Sequence, residues 1–184
     1  MQNQWKAPCT VLQYKELLEA IGRVAPDFDI GTLPAAPKVP VFDETDLQVE
    51  HDVEVQLLEP LLRRIGFSEE EWTTQYSVRV GRENRSRPDY VIHLDTAGTW
   101  PRAAFVFEAK LSVPSKHQLQ KDFGQAVAYA DLLHARVAAL VAREGLWVCP
   151  RISGDFSYSE IKFHDWAELR EESVIDALRV MFDR

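Results

Sequence analysis

Cysteine is almost missing from this chain. Cys9 and Cys149 are the only two, without metal-type spacing, and a reducing, cytoplasmic setting fits them best. The five histidines (51, 93, 117, 134 and 164) are scattered with no pair at ligand spacing, which argues against a zinc site. Long apolar runs are missing too. None approaches the roughly 20 residues that span a bilayer, so no membrane association is expected. Met1-Gln2-Asn3-Gln4-Trp5 has no basic segment leading into an apolar one, so no secretory signal is expected. Basic charge is in deficit, with 21 Lys and Arg against 29 Asp and Glu. The resulting net charge of −8 argues against a surface built to coat nucleic acid broadly. There is no internal repeat and no low-complexity tract.

What is present is a length of 184 residues and 46% apolar content, enough for one sizeable core and one domain. The charge is unevenly spread. Asp43 to Glu59 holds seven acidic residues and no Lys or Arg. Arg79-Val80-Gly81-Arg82-Glu83-Asn84-Arg85-Ser86-Arg87 holds four arginines against one glutamate, and Lys110, Lys116, His117 and Lys121 follow later. A solvated, arginine-rich loop is the plain reading of the first group; a local nucleic-acid contact is the other.

Between those basic groups lie two short β-branched and aromatic runs, Arg87-Pro88-Asp89-Tyr90-Val91-Ile92 and Phe105-Val106-Phe107-Glu108-Ala109-Lys110. If they pair as an antiparallel hairpin, Asp89 opens one strand where Glu108 and Lys110 close the other. Glu108 and Lys110 are two apart, so their side chains share a face. Two carboxylates and an ammonium then converge. That set suits an oxygen-liganded divalent metal with a lysine beside an attacking water, as metal-dependent phosphodiester hydrolysis requires.

Around this centre the pattern alternates. Residues 11–24 have helical periodicity with Thr10 as cap, and Pro26, Pro34, Pro37 and Pro40 mark a linker. The expectation is an arm over 1–42 and a compact domain over 43–184. Asp46 to Gly66 reads as a helix with the stripe Val49, Val53, Leu57, Leu58, Leu61, Leu62 and Ile65, bent at Pro60. Glu50 and Glu54 lie one turn apart along its edge, and either could add a third carboxylate. Strands are expected over Gln75–Val80, Pro88–Asp95 and Arg102–Lys110, then a helix from about Lys116 to His134. Gln118, Asp122, Gln125 and Tyr129 form a polar stripe on that helix, facing solvent or a groove. Strands Arg136–Ala142 and Leu146–Arg151, a β segment over Phe156–Phe163 and a closing helix Trp166–Phe182 capped by Asp165 complete the pattern. The order predicts an α/β sandwich around a central mixed sheet flanked by helices.

The ordered set Glu50, Pro60-Leu61-Leu62 before Gly66-Phe67, Arg87-Pro88-Asp89-Tyr90, Glu108-Ala109-Lys110 and Gln125-Ala126-Val127-Ala128-Tyr129 resembles the PD-(D/E)xK nuclease superfamily. Within it, the set is similar to the N-terminal nuclease domain of type I restriction enzyme R subunits, over roughly residues 46 to 150. The resemblance implies a restriction-endonuclease-like fold and a Mg2+-dependent endonuclease, with Mn2+ as substitute, in a restriction or antiviral-defence setting. It implies that Asp89, Glu108 and the Ala109 carbonyl hold the metal, with Glu50 as a further carboxylate ligand or water anchor and Glu54 facing solvent or standing behind the direct ligands. Lys110 would orient or deprotonate the water. Gln125 and Tyr129 would contact nucleic-acid backbone or order the site, and Arg82, Arg85, Arg87, Lys116 and Lys121 would bind DNA, with RNA not excluded. Enzymes of that group fuse the domain to an ATP-driven motor. No Gly-x-x-x-x-Gly-Lys-Ser/Thr loop occurs here, so the expectation is that translocation comes from another chain, a separate motor or specificity subunit, or does not occur. The turn Arg143-Glu144-Gly145 departs from the Thr-Asn-Gly often found there. Double-strand cleavage needs two sites, which a homodimer would supply. The alternative is a non-catalytic binding module on the same fold.

Overall fold

The computed structural model describes Phe42, Glu44 and residues 46–80 and 84–183, with the side chains at 80, 84 and 85 left out. All belong to one compact unit, Val41–Arg184. The helix expected over 11–24 and the proline-marked linker lie outside the described residues.

The chain enters through α1 (Glu50–Val53), a π-helical turn (Glu54–Leu58) and α2 (Glu59–Ile65). Asp52 holds the entry, its Oδ2 accepting from the backbone N–H of Gln48 at 2.7 Å and of Val49 at 2.8 Å. Those backbone hydrogen bonds keep the Asp52 carboxyl below the ordinary range. Val49, which the apolar stripe includes, is exposed, while Val53, Leu57, Leu58, Leu61, Leu62 and Ile65 are fully buried. Pro60 does not bend an α-helix here, as the sequence suggested. The wide turn precedes it, with the Glu59 N–H bonded to the Glu54 carbonyl, and Pro60 falls in the first turn of α2, where it has no hydrogen bond to lose. Gly66 ends α2 in the left-handed conformation, at φ 118°.

Six strands form one sheet in the order β1 (Trp72–Thr74), β4 (Tyr90–Ile92), β5 (Phe105–Ala109), β6 (Val137–Ala142), β7 (Gly145–Pro150), β8 (Lys162–His164). Among the described strands only β5 and β6 run parallel, joined by α3 (Lys116–Leu132) as crossover. Ser115 caps α3 by accepting from the Gln118 N–H at 3.2 Å. This is the expected mixed α/β sheet flanked by helices.

Strand alternation divides the core in two. Tyr90, Ile92, Phe105, Phe107, Val141 and Val148 face α1, α2 and the closing helix α4 (Glu172–Met181). Val91, Val106, Leu140, Trp147 and Cys149 face Phe123, Ala126 and Ala130 of α3.

Three expectations need correction. Gln75–Val80 is not a strand of the main sheet. Trp72–Thr74 takes that edge, and Val78–Val80 (β2) pairs with Asn84–Ser86 (β3) in a separate two-stranded ribbon, so the arginine-rich stretch contains two paired strands. The break is Gln75, at φ 52°, which turns the chain out of the sheet. The expected Phe156–Phe163 segment shortens and shifts to the strand Lys162–His164, because Tyr158–Glu160 coils into a 3-10 turn. The closing helix is interrupted: Asp165 caps a 3-10 turn, Glu168–Arg170, and extended Glu171 separates it from α4.

Gly145 fixes the β6–β7 turn. Its φ is 150°, and an added Cβ would overlap the backbone carbonyl of His164 on β8. Gly145→Ala should therefore cost about 3 kcal/mol, lowering the thermal midpoint by about 10 °C. Calorimetric unfolding checks this, and an unchanged midpoint would contradict the close approach.

A candidate metal-dependent hydrolytic centre

Asp89 and Glu108 meet because of strand register. Tyr90 pairs with Phe107 in the antiparallel β4–β5 ladder, so one step further sets Asp89 opposite Glu108, both on the α3 side. Asp89 Oδ2 accepts from the Ala109 N–H at 2.8 Å and its Oδ1 accepts from the Gln75 side chain at 2.9 Å. Each oxygen keeps a free lone pair. Glu108 lies deeper, only 1% exposed. Its Oε1 accepts from Lys110 Nζ at 2.8 Å and from Gln125 Nε2 at 2.6 Å, whereas its Oε2 is buried with no hydrogen-bond partner among the described residues. Lys110 Nζ also donates to the Ala109 carbonyl at 3.0 Å.

The electrostatics follow from this packing. Burial, then the charge of Asp89, pushes Glu108 up to about 7 against the pull of Lys110. Burial works against the Lys110 ammonium, but its hydrogen bond to Glu108 and the charges of Glu108, Glu50 and Asp89 win, and its pKa is raised. Lys110 is therefore charged at neutral pH. Glu108 is poised to take or lose a proton there.

Glu50 and Glu54 separate. Glu50 Oε1 lies 3.7 Å from Lys110 Nζ with its side chain 54% exposed. Glu54, 17% exposed, takes His51 Nδ1 at 3.1 Å instead. Among the described residues, no three His, Cys, Asp or Glu side chains converge as a metal cluster. The structure thus brings Glu50 to the lysine, not into one cluster with Asp89 and Glu108.

Gln125 and Tyr129 turn inward rather than toward solvent. Gln125 Nε2 reaches both Glu108 and the Tyr129 hydroxyl, at 3.1 Å, and Tyr129 accepts from Ser86 Oγ at 3.3 Å. Tyr129 is buried, so of the two implied roles the geometry serves ordering of the carboxylate. Asp122, on the same stripe, is buried and takes the Gln118 amide at 2.8 Å on both oxygens. Arg87, Lys116 and Lys121 are exposed and pair with no described acidic residue; Arg82 lies outside the described residues, and Arg85 is described only in its β3 backbone.

Two contributors carry no sequence signal. Gln75 orients Asp89 from a strained turn fourteen residues away. Glu144, in the turn that departs from the resemblance, accepts from Ser112 Oγ and from the Val113 N–H at 3.0 Å, tying down the loop after Lys110.

The orphaned Glu108 oxygen, the free lone pairs of Asp89 and the neighbouring Ala109 carbonyl are hard oxygen donors suited to a Mg2+-like ion that keeps several waters. The residues fit such a group.

No family model matches the chain, and no curated protein matches it. Among solved structures, the chain is similar to a fragment assigned as an HsdR subunit of a type I restriction enzyme from Vibrio vulnificus YJ016. The identity is 19% and the TM-score 0.43, over 68% of this chain and 25% of that one. The chain thus spans a quarter of that structure's length.

Proposed function

We propose that this chain is a divalent-metal-dependent nuclease that hydrolyses DNA phosphodiester bonds at Asp89, Glu108 and Lys110. The observation that carries the reading is a buried carboxylate with one oxygen unpartnered, set opposite a second carboxylate and beside a charged lysine. A buried, unsatisfied carboxyl oxygen is costly for folding alone, ionised or not. Its retention is understandable if a cation completes it.

When bound, Mg2+ or Mn2+ would supply positive charge to the phosphate and acidify a coordinated water. Asp89, Glu108 and the Ala109 carbonyl would hold it. Lys110, with its raised pKa, serves as a fixed positive charge and hydrogen-bond donor that places the attacking water and steadies the developing phosphate charge, rather than as a base. Gln75 and Gln125 hold the two carboxylates in orientation. The resemblance in sequence extends the reading to a restriction or phage-defence setting.

Incubating the chain with plasmid, linear duplex, single-stranded DNA and RNA, in magnesium or manganese against chelator, tests this. Metal-dependent cleavage of at least one DNA substrate is expected. Absence of cleavage throughout, with the fold intact, would leave the binding-module alternative.

The glutamates are resolved by substitution. Glu50→Gln removes the carboxylate beside Lys110 and should slow cleavage about ten-fold, as for loss of one charged contact, while Glu54→Gln should stay within about two-fold of wild type. The reverse order in single-turnover rates would transfer the role to Glu54.

A further inference from the structure

The α3 side of the sheet carries a second concavity that the hydrolytic centre does not use. A cavity of about 510 Å³ opens between the first turns of α3 and the β7–β8 edge, with Lys116, Leu119 and Gln120 on one side and Trp147, Tyr158 and Phe163 on the other. Trp147 and Phe163 are register partners whose ring centroids lie 4.7 Å apart. Phe163 is 46% exposed and Tyr158 51%, so two large aromatic surfaces are open to solvent. Tyr158 is nevertheless braced, its hydroxyl donating to the Gln120 carbonyl at 2.9 Å.

Its place in the fold links the cavity to the site. Glu108, Leu140, Trp147 and Phe163 are successive register partners across β5, β6, β7 and β8, and so lie in one row on one face. With strands about 4.8 Å apart, Trp147 stands about 10 Å and Phe163 about 14 Å along the sheet from Glu108. That is about three or four nucleotides of a stacked strand, fewer of an extended one. Exposed Lys116, unpaired with any described residue, adds a cation at the mouth. Aromatic walls beside a free cation match a base joined to its phosphate.

We propose that this cavity is a base-stacking subsite. A nucleobase a few positions from the cleaved phosphate stacks against Phe163 and Tyr158, and Lys116 pairs with the adjoining phosphate. The identity of the ligand rests on the nuclease reading above. The subsite selects single-stranded or locally splayed substrate, because a base inside a duplex offers no free face.

Binding of a fluorescein-labelled oligothymidylate of about 15 nucleotides, followed by anisotropy in chelator, tests the subsite on the full chain. Phe163→Ala should weaken binding about ten-fold, Phe163→Trp should restore it, and Lys116→Ala should weaken it while reducing the salt dependence. A labelled duplex should be indifferent to Phe163→Ala. Thermal melts confirm that each variant folds. Equal affinity of Phe163→Ala and wild type, a loss that Phe163→Trp fails to restore, an equal loss on duplex, or no binding by wild type would each overturn the proposal. Phe163-dependent binding without metal-dependent cleavage would sink the nuclease reading and leave the subsite standing. Cleavage with Phe163-insensitive binding would do the opposite.

Discussion

Lys110→Ala should remove metal-dependent cleavage, with a loss on the order of 10³-fold or more in single-turnover rate, while the chain stays folded. The ammonium is held by Glu108 Oε1 and the Ala109 carbonyl, so its charge is fixed where the phosphate would develop negative charge. No other cation among the described residues pairs with Glu108. Lys110→Arg should recover little, since the longer, planar guanidinium with its spread charge cannot occupy the compact position where Nζ meets Glu108 and the Ala109 carbonyl at 2.8 and 3.0 Å. Asp89→Asn should lose activity to a similar extent. Full activity in Lys110→Ala or Asp89→Asn would remove the assignment.

Glu108→Gln should abolish the same activity and also change the pH dependence of stability, which a damaging core substitution would leave unaltered. Glu108 titrates at about 7 in the folded chain against an ordinary 4.5. Below pH 4.5 it is protonated folded or unfolded, and its full contribution to stability is present. As pH rises toward 7, the unfolded chain releases the proton first, and stability is lost until the folded carboxyl ionises as well. The loss is on the order of 3 kcal/mol. Wild type minus Glu108→Gln stability, from urea unfolding at a series of pH values, should therefore decline across pH 4.5–7 and then level. A flat difference would show that the carboxyl is not perturbed by burial and Asp89.

The meeting of Asp89, Glu108 and Lys110 was legible because its logic is local. Pro88-Asp89 and Glu108-Ala109-Lys110 sit on short strands whose period of two fixes the faces, and a hairpin brings the strand ends together. The Gln125–Tyr129 spacing is likewise one helical turn, so their alignment was visible, but whether they face a groove or solvent depends on where α3 lands on the sheet. Gln75 and Glu144 were not legible. Their partners lie fourteen and more than thirty residues away, and nothing in their neighbours signals a positive φ or a loop to be tied. The arginine-rich ribbon escaped for a similar reason: β2 and β3 are three residues each, shorter than any periodic signal. Pro60 misled because a proline in a helical pattern reads as a bend unless a π-helical turn resets the register before it.

The sharpest measurement is a calorimetric titration of Mn2+ into the metal-free chain at pH 6, repeated in two buffers of different ionisation enthalpy. A cation completing Glu108 Oε2 must displace the proton held there, so the account predicts one ion per chain, release of about one proton, and loss of both in Glu108→Gln. Mn2+ binding of equal affinity to wild type and Glu108→Gln, or binding with no proton released, would contradict it.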